Sequence, residues 1–183
     1  MSSDVFIIAS ASDPAPSSAI RQVVERAGVS PSRLQDAVFG LDSYYYSDLD
    51  SIARAAGLTC PSVGVSSSLR ALFFAAASIL SDDVELAVVT GLLPDTCTAF
   101  LLASPEMVGR LNLLPRARFA ARSLTGSEPA LRLAGLTPAD IDITRSGDRA
   151  ALLLAELLDE LEARSARWGL LSVAEAALLI ERL

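Results

Sequence analysis

Along the chain, short apolar runs alternate with stretches whose apolar residues recur every three or four positions. Val5-Phe6-Ile7-Ile8-Ala9 is continuous and apolar, as a strand covered on both faces requires. Asp13-Pro14-Ala15-Pro16-Ser17-Ser18 breaks that run and offers N-cap residues. Ile20, Val23 and Val24 then share one face of a helix predicted over residues 19–27, with Gly28 as its stop. A second strand is predicted within residues 34–41, then a helix capped at Ser47 that ends near Gly57. Residues 60–65 read as a third strand and 67–80 as a long, almost wholly apolar helix. Runs at 85–89 and 98–103 make five strands. The alternation predicts a layered α/β fold with a mainly parallel sheet.

Composition narrows the class. Of 183 residues, 51% are hydrophobic and only 5% aromatic, so the core is built from Ala, Leu, Val and Ile, and disorder is excluded. Net charge is −7 and every basic residue is a scattered arginine, which disfavours nucleic acid or an anionic membrane as partner. Histidine is absent, and with it the commonest general base and metal ligand. Cys60 and Cys97 have neither metal-type spacing nor a disulfide framework. Neither a metal nor a cofactor is expected. The start, Met1-Ser2-Ser3-Asp4, lacks the basic region of a signal peptide, and the longest apolar run is short of the ~20 residues that span a bilayer. A cytoplasmic protein without a membrane segment is the expectation.

The later part of the chain echoes the earlier part. Ala27-Gly28-Val29-Ser30-Pro31-Ser32-Arg33-Leu34 matches Ala134-Gly135-Leu136-Thr137-Pro138-Ala139-Asp140-Ile141, offset by 107 positions. Ser67-Ser68-Leu69-Arg70-Ala71 matches Ser146-Gly147-Asp148-Arg149-Ala150, offset by 79, so the later copy is 28 residues shorter between these landmarks. Ala176-Ala177-Leu178-Leu179-Ile180 likewise matches Thr98-Ala99-Phe100-Leu101-Leu102. A duplicated unit, shortened in its second copy, is the simplest account.

The chain centres on Val65-Ser66-Ser67-Ser68-Leu69-Arg70-Ala71-Leu72, where a β-branched run meets three serines that open the apolar helix. Such a turn places its side chains beside free backbone N–H groups and the positive end of the helix dipole. The stretch resembles the nucleophile turn of the thiolase and β-ketoacyl synthase superfamily, Cys-Ser-Ser-Ser-Leu-x-Ala-Leu, with Val65 in the cysteine position. Asp95 to Glu106 is similar to the family's Asp-Gly-Ala-Ala-Ala strand. Ala134-Gly135-Leu136-Thr137-Pro138-Ala139-Asp140-Ile141-Asp142 resembles its Ala-Gly-Leu-Thr-Pro-x-Asp-Ile-Asp stretch, and Ser146-Gly147-Asp148-Arg149 its Ser-Gly-Ala-Arg helix start. The end from Trp168 to Leu183 resembles the closing hairpin. The resemblance implies an α/β/α/β/α layered fold of two pseudo-repeat halves, residues 1–104 and 105–183, with mainly parallel mixed sheets and the two apolar helices at the centre. It also implies pairing through residues 60–65, and near absence of the loop domain between Gly91 and Asp95.

The departures decide the chemistry. Ile143-Thr144-Arg145-Ser146 replaces Asn-Glu-Ala-Phe, the Gly-His-Pro motif is missing, and Cys-x-Gly is reduced to Ser172-Val173-Ala174-Glu175. Claisen-type acyl transfer needs a thiolate, oxyanion donors and a base. Val65 cannot attack a thioester. Cys60 is the rescue candidate, against the commoner reading of a buried structural thiol, and Cys97 is weaker still. Ser66, Ser67 and Ser68 invite a serine-nucleophile reading, which without histidine or lysine would need a carboxylate base, or a ligand-binding turn; more simply they are N-capping residues, a role worth ~1 kcal/mol. Asp140 and Asp142 read as an acid pair or a solvated turn. Arg145, Arg149, Arg164 and Arg167 read as an anion site or, among their acidic neighbours, a mixed solvated face. Tyr44, Tyr45 and Tyr46 fit either a ligand or partner surface or packing beside the sheet. Three functions follow: a non-catalytic partner or scaffold, as a homodimer or bound to an active thiolase or ketosynthase; an acyl-CoA or acyl-carrier thioester binding module; or a small acyltransferase using Cys60.

Overall fold

The computed structural model describes residues 4–42, 48–174 and 176–183. The tyrosine cluster and the cap expected at Ser47 lie outside them. Strand β1 (Phe6–Asp13) is longer than its apolar run and leads into helix α1 (Pro16–Arg26), which begins earlier than the periodicity predicts. Pro16 is preorganised for the first helical position. Asp13 replaces a cap, accepting from Ala15 N–H at 2.8 Å and from Ser18 and Gln22. Gly28, at φ +66°, ends the helix in a conformation only glycine adopts without strain. Strand β2 (Asp36–Leu41) follows, then α2 (Leu49–Ala55), where the Asp48 carboxylate caps Ser51 N–H at 2.9 Å.

Strand β3 (Ser62–Val65) is shorter than expected: Cys60 precedes it, because Pro61 has no N–H to add to the ladder. Helix α3 (Ser68–Leu80), β4 (Leu86–Leu92) and β5 (Cys97–Ala103) complete the first part. The second comprises α4 (Pro105–Leu111), β6 (Ala117–Ser123), α5 (Ser127–Ala134), β7 (Ile143–Ser146), α6 (Ala150–Ala163), β8 (Trp168–Val173) and β9 (Ala176–Arg182).

Among the described residues these strands form one mixed nine-stranded sheet in the order β3-β2-β4-β5-β1-β6-β9-β8-β7. Two expectations are corrected. Only β2–β3, β2–β4 and β7–β8 are parallel, so antiparallel pairs predominate. The cause is connection length: β4 and β5 are joined by a tight turn closed by Leu93 N–H donating to Thr96 O at 2.9 Å, and so short a link allows only a hairpin. Separate sheets for the two parts also give way to one, because β1 and β6 pair at Phe6 and Ile7.

Three apolar clusters surround this sheet. Helices α3 and α6 share the largest, together with Val89 and Phe100 of the first part and Phe119, Leu171 and Ile180 of the second. Helices α1 and α2 cover the other face of β1, β2, β4 and β5. Helix α5 covers β6, β8 and β9 through Ala130 and Leu131. No helix among the described residues is long and apolar enough to cross a membrane.

Candidate functional site

The N-terminus of α3 is a tightly built junction. Ser67 is the N-cap, and its hydroxyl accepts from Arg70 N–H at 3.3 Å. Ser66 lies beside it and accepts from the Arg70 guanidinium at 3.1 Å. Ser68 is fully buried: its N–H donates to the Asp42 carboxylate at 2.8 Å, and its hydroxyl accepts from Ala151 N–H in the first turn of α6 at 3.2 Å. One serine thus ties the starts of both central helices together.

The close approach depends on two glycines that face each other in the β2–β4 ladder, Gly40 and Gly91. A Cβ on Gly40 would lie 2.3 Å from Ser68 Cα, and one on Gly91 would lie 2.3 Å from Ala151 Cβ. Neither contact can be relieved by moving a flexible side chain, so glycine is required at both places. Val65 ends β3 just before this junction, partly buried against the central cluster, and offers no nucleophile. A cleft of about 670 Å³ opens beside the junction, bounded by Ser67, Arg70 and Phe73 of α3, Leu124 beyond β6, and Val173 and Ala176 of the β8–β9 hairpin. Val65 is not part of its lining.

Cys60 is half-buried and stands apart from the helix start; burial, and to a smaller extent the Asp36 charge, push its thiol up from the ordinary value. Both oppose the thiolate a nucleophile requires. Cys97 is buried in β5, and burial pushes its thiol up to about 12. Asp140 closes a capping box, accepting from Thr137 O–H and N–H, and those bonds hold it below the usual carboxylate range. Asp142 accepts from Trp168 and Arg167 N–H at 2.8 and 2.9 Å, which lower it as well. These two aspartates brace turns and do not face each other as an acid pair.

The four arginines do not converge either. Arg145 and Arg164 both bond Glu160, Arg167 bonds Glu181 and stacks over Trp168 at 5.1 Å, and Arg149 is exposed at the start of α6. Among the described residues no group of three His, Cys, Asp or Glu side chains is placed to hold a metal.

Sequence reasoning missed Gly40, Asp42, Gly91 and Arg122. The two glycines had a signal: Asp36-Ala37-Val38-Phe39-Gly40 and Leu86-Ala87-Val88-Val89-Thr90-Gly91 are both apolar strands that run into a glycine. Asp42 and Arg122 had none. Compared with known proteins, the chain matches no family model and no curated protein.

Proposed function

We propose that this chain is a shortened thiolase-like subunit with no catalysis of its own, which pairs with a second copy or with an active thiolase or ketosynthase of acyl-thioester metabolism. The observation that carries this reading is the α3 junction: the turn is kept rigid by Ser67, Ser68, Asp42 and two obligatory glycines, yet carries valine where chemistry would need a thiol. Selection for a working nucleophile does not explain such a junction, whereas selection for a scaffold does.

The strand path supports the two-half reading. β2-β4-β5-β1 and β7-β8-β9-β6 trace the same order, and the last strand in each path carries a bulge, at Ile7/Ala9 and at Phe119/Ala121. Between β2 and α3 the chain inserts α2 and β3, whereas only 147–149 separate β7 from α6. That gap is where the later copy is shorter in sequence. The three clusters support five layers, with α3 and α6 between strands of the two halves.

The pairing surface is the outer edge of β3. Ala37 N–H donates to Pro61 O, so the parallel ladder leaves the amides of Ser62 and Gly64 directed outwards. An unpaired edge of this kind is a template for another strand. Sedimentation of the purified chain is expected to give a dimer, which Ser62→Pro converts to a folded monomer. A monomer at every concentration, together with failure to pair with an active thiolase, would sink the proposal. Intact mass after incubation with acyl-CoA thioesters should stay unchanged; an acyl adduct lost in Cys60→Ser would show catalysis instead.

The cleft favours a second reading, a module that holds acyl thioesters without turnover. Saturable binding of an acyl-CoA by the monomeric Ser62→Pro variant would favour it.

A further inference from the structure

The bulge in β6 decides where Arg122 points. Ala117 and Phe119 face the central cluster, but after the bulge Ala121 faces α5 and the alternation is reversed. Arg122 is thereby turned toward α3, where its guanidinium donates to Phe73 O at 3.5 Å. In the first half, the same number of residues after the Ile7/Ala9 bulge, stands Ser10, which accepts from Arg116 at 2.8 Å. Re-aiming a side chain is a recurrent use of bulges.

Arg122 differs from Arg116 and Arg118, the two partly buried arginines just before it in the chain. Arg116 and Arg118 each bond two carboxylates. Arg122 is half-buried, bonds one carbonyl at the limit of hydrogen-bond distance, and has no carboxylate partner among the described residues. A guanidinium carries five donors, and leaving its charge uncompensated away from water is unfavourable. It lines a groove of about 260 Å³ with Phe73, Ala77 and Leu124, and this groove adjoins the 670 Å³ cleft, with Phe73 and Leu124 lining both. Leu124 is 68% exposed, an apolar side chain with nothing over it.

The geometry points to a binding site for a small amphipathic monocarboxylate, its carboxylate paired to Arg122 and its apolar chain lying past Phe73 and Leu124 into the cleft. Charge complementarity fixes one end and the apolar lining the other. A bidentate guanidinium–carboxylate pair supplies direction as well as charge at the Arg122 end. The site requires a free carboxylate, so it is independent of the strand pairing and, although it shares the cleft, it takes a different ligand from the thioester reading.

Calorimetric titration of the full chain with octanoate tests the site, with octanol as the neutral counterpart of the same length. Octanoate is expected to bind saturably and octanol at least about tenfold more weakly, the factor expected for one charge-assisted pair. Arg122→Ala should weaken octanoate by a similar factor with little effect on octanol, and Arg122→Lys should recover part of the loss. Leu124→Glu, at an exposed position, should also abolish octanoate binding while leaving the circular dichroism and melting temperature unchanged. No octanoate binding, equal binding of octanol, or octanoate binding unchanged in Arg122→Ala would each overturn the proposal. Because Ser62→Pro leaves this groove untouched, a monomer that still binds octanoate separates failure of the pairing proposal from failure of this one.

Discussion

The two halves follow one strand order but are held together by different forces. In the first, β4 and β5 are buried at every residue, covered by α1 on one face and by α3 and α6 on the other. In the second, β6 alternates buried and half-buried positions, and β8 is buried only at its middle. Eight of the nine ion pairs among the described residues use an arginine from position 116 onward, so charge pairing is a property of the second half. The physical reason is coverage. A half that lacks the inserted helix and strand cannot exclude water from its sheet by apolar contact alone, and paired charges occupy the half-wet positions instead.

This contrast can be broken at its strongest point first. Gly91→Val forces a Cβ to within 2.3 Å of Ala151 and 2.9 Å of Ser68, and is expected to cost about 3 kcal/mol or to prevent folding, read by urea denaturation. A variant as stable as the parent would show that the first half is not closely packed at this junction.

Glu181→Gln tests the second half at similar size. Glu181 is 4% exposed and bonds both Arg118 and Arg167, so the substitution should cost about 3 kcal/mol by leaving two guanidinium groups short of charge. Burial pushes its carboxyl up, but the hydrogen bonds from Arg167 and Arg118 outweigh burial and hold it below its ordinary value of 4.5. A lowered folded-state value means that this stabilisation is fully present above the ordinary value and lost as pH falls through the lowered one. Melting temperature against pH should therefore fall more steeply on the acid side in the parent than in Glu181→Gln.

Ser68→Ala should cost about 2 kcal/mol, because Ala151 N–H is left buried without an acceptor. Its effect on unfolding measures how far the junction couples the two halves. The smallest change has the opposite sign. Thr90 has a buried hydroxyl with no partner among the described residues, so Thr90→Val should stabilise by about 1 kcal/mol, seen as a raised denaturation midpoint. A loss there would mean that the first half tolerates polarity better than its burial implies.

The strands that stand out in the sequence as continuous apolar runs are the ones covered on both faces. Residues 85–89 and 98–103 announce themselves as continuous apolar runs because neither face meets water. Ala117-Arg118-Phe119-Ala120-Ala121-Arg122-Ser123 does not, since Arg118 is paired with Glu181 and Asp4 and Arg122 is turned to the α3 backbone, all remote in the chain. The serine turn was legible as a helix cap, because capping is local: Ser67 needs only Arg70 N–H three residues on. The role of Ser68 was not, because its partners, Asp42 and Ala151, lie 26 and 83 positions away.

The amino-acid order thus determined that apolar runs and amphipathic helices alternate, where α1 and α3 begin and end to within a few residues, and that no imidazole or lysine chemistry is available. These follow from local periodicity, capping and composition. Only the tertiary structure decided that one sheet runs through both halves, that antiparallel pairs predominate, and that Arg122 faces α3. Strand order depends on which edges meet when the apolar faces are buried together, and a single bulged residue reverses the face of every side chain after it. Neither is written in any one segment.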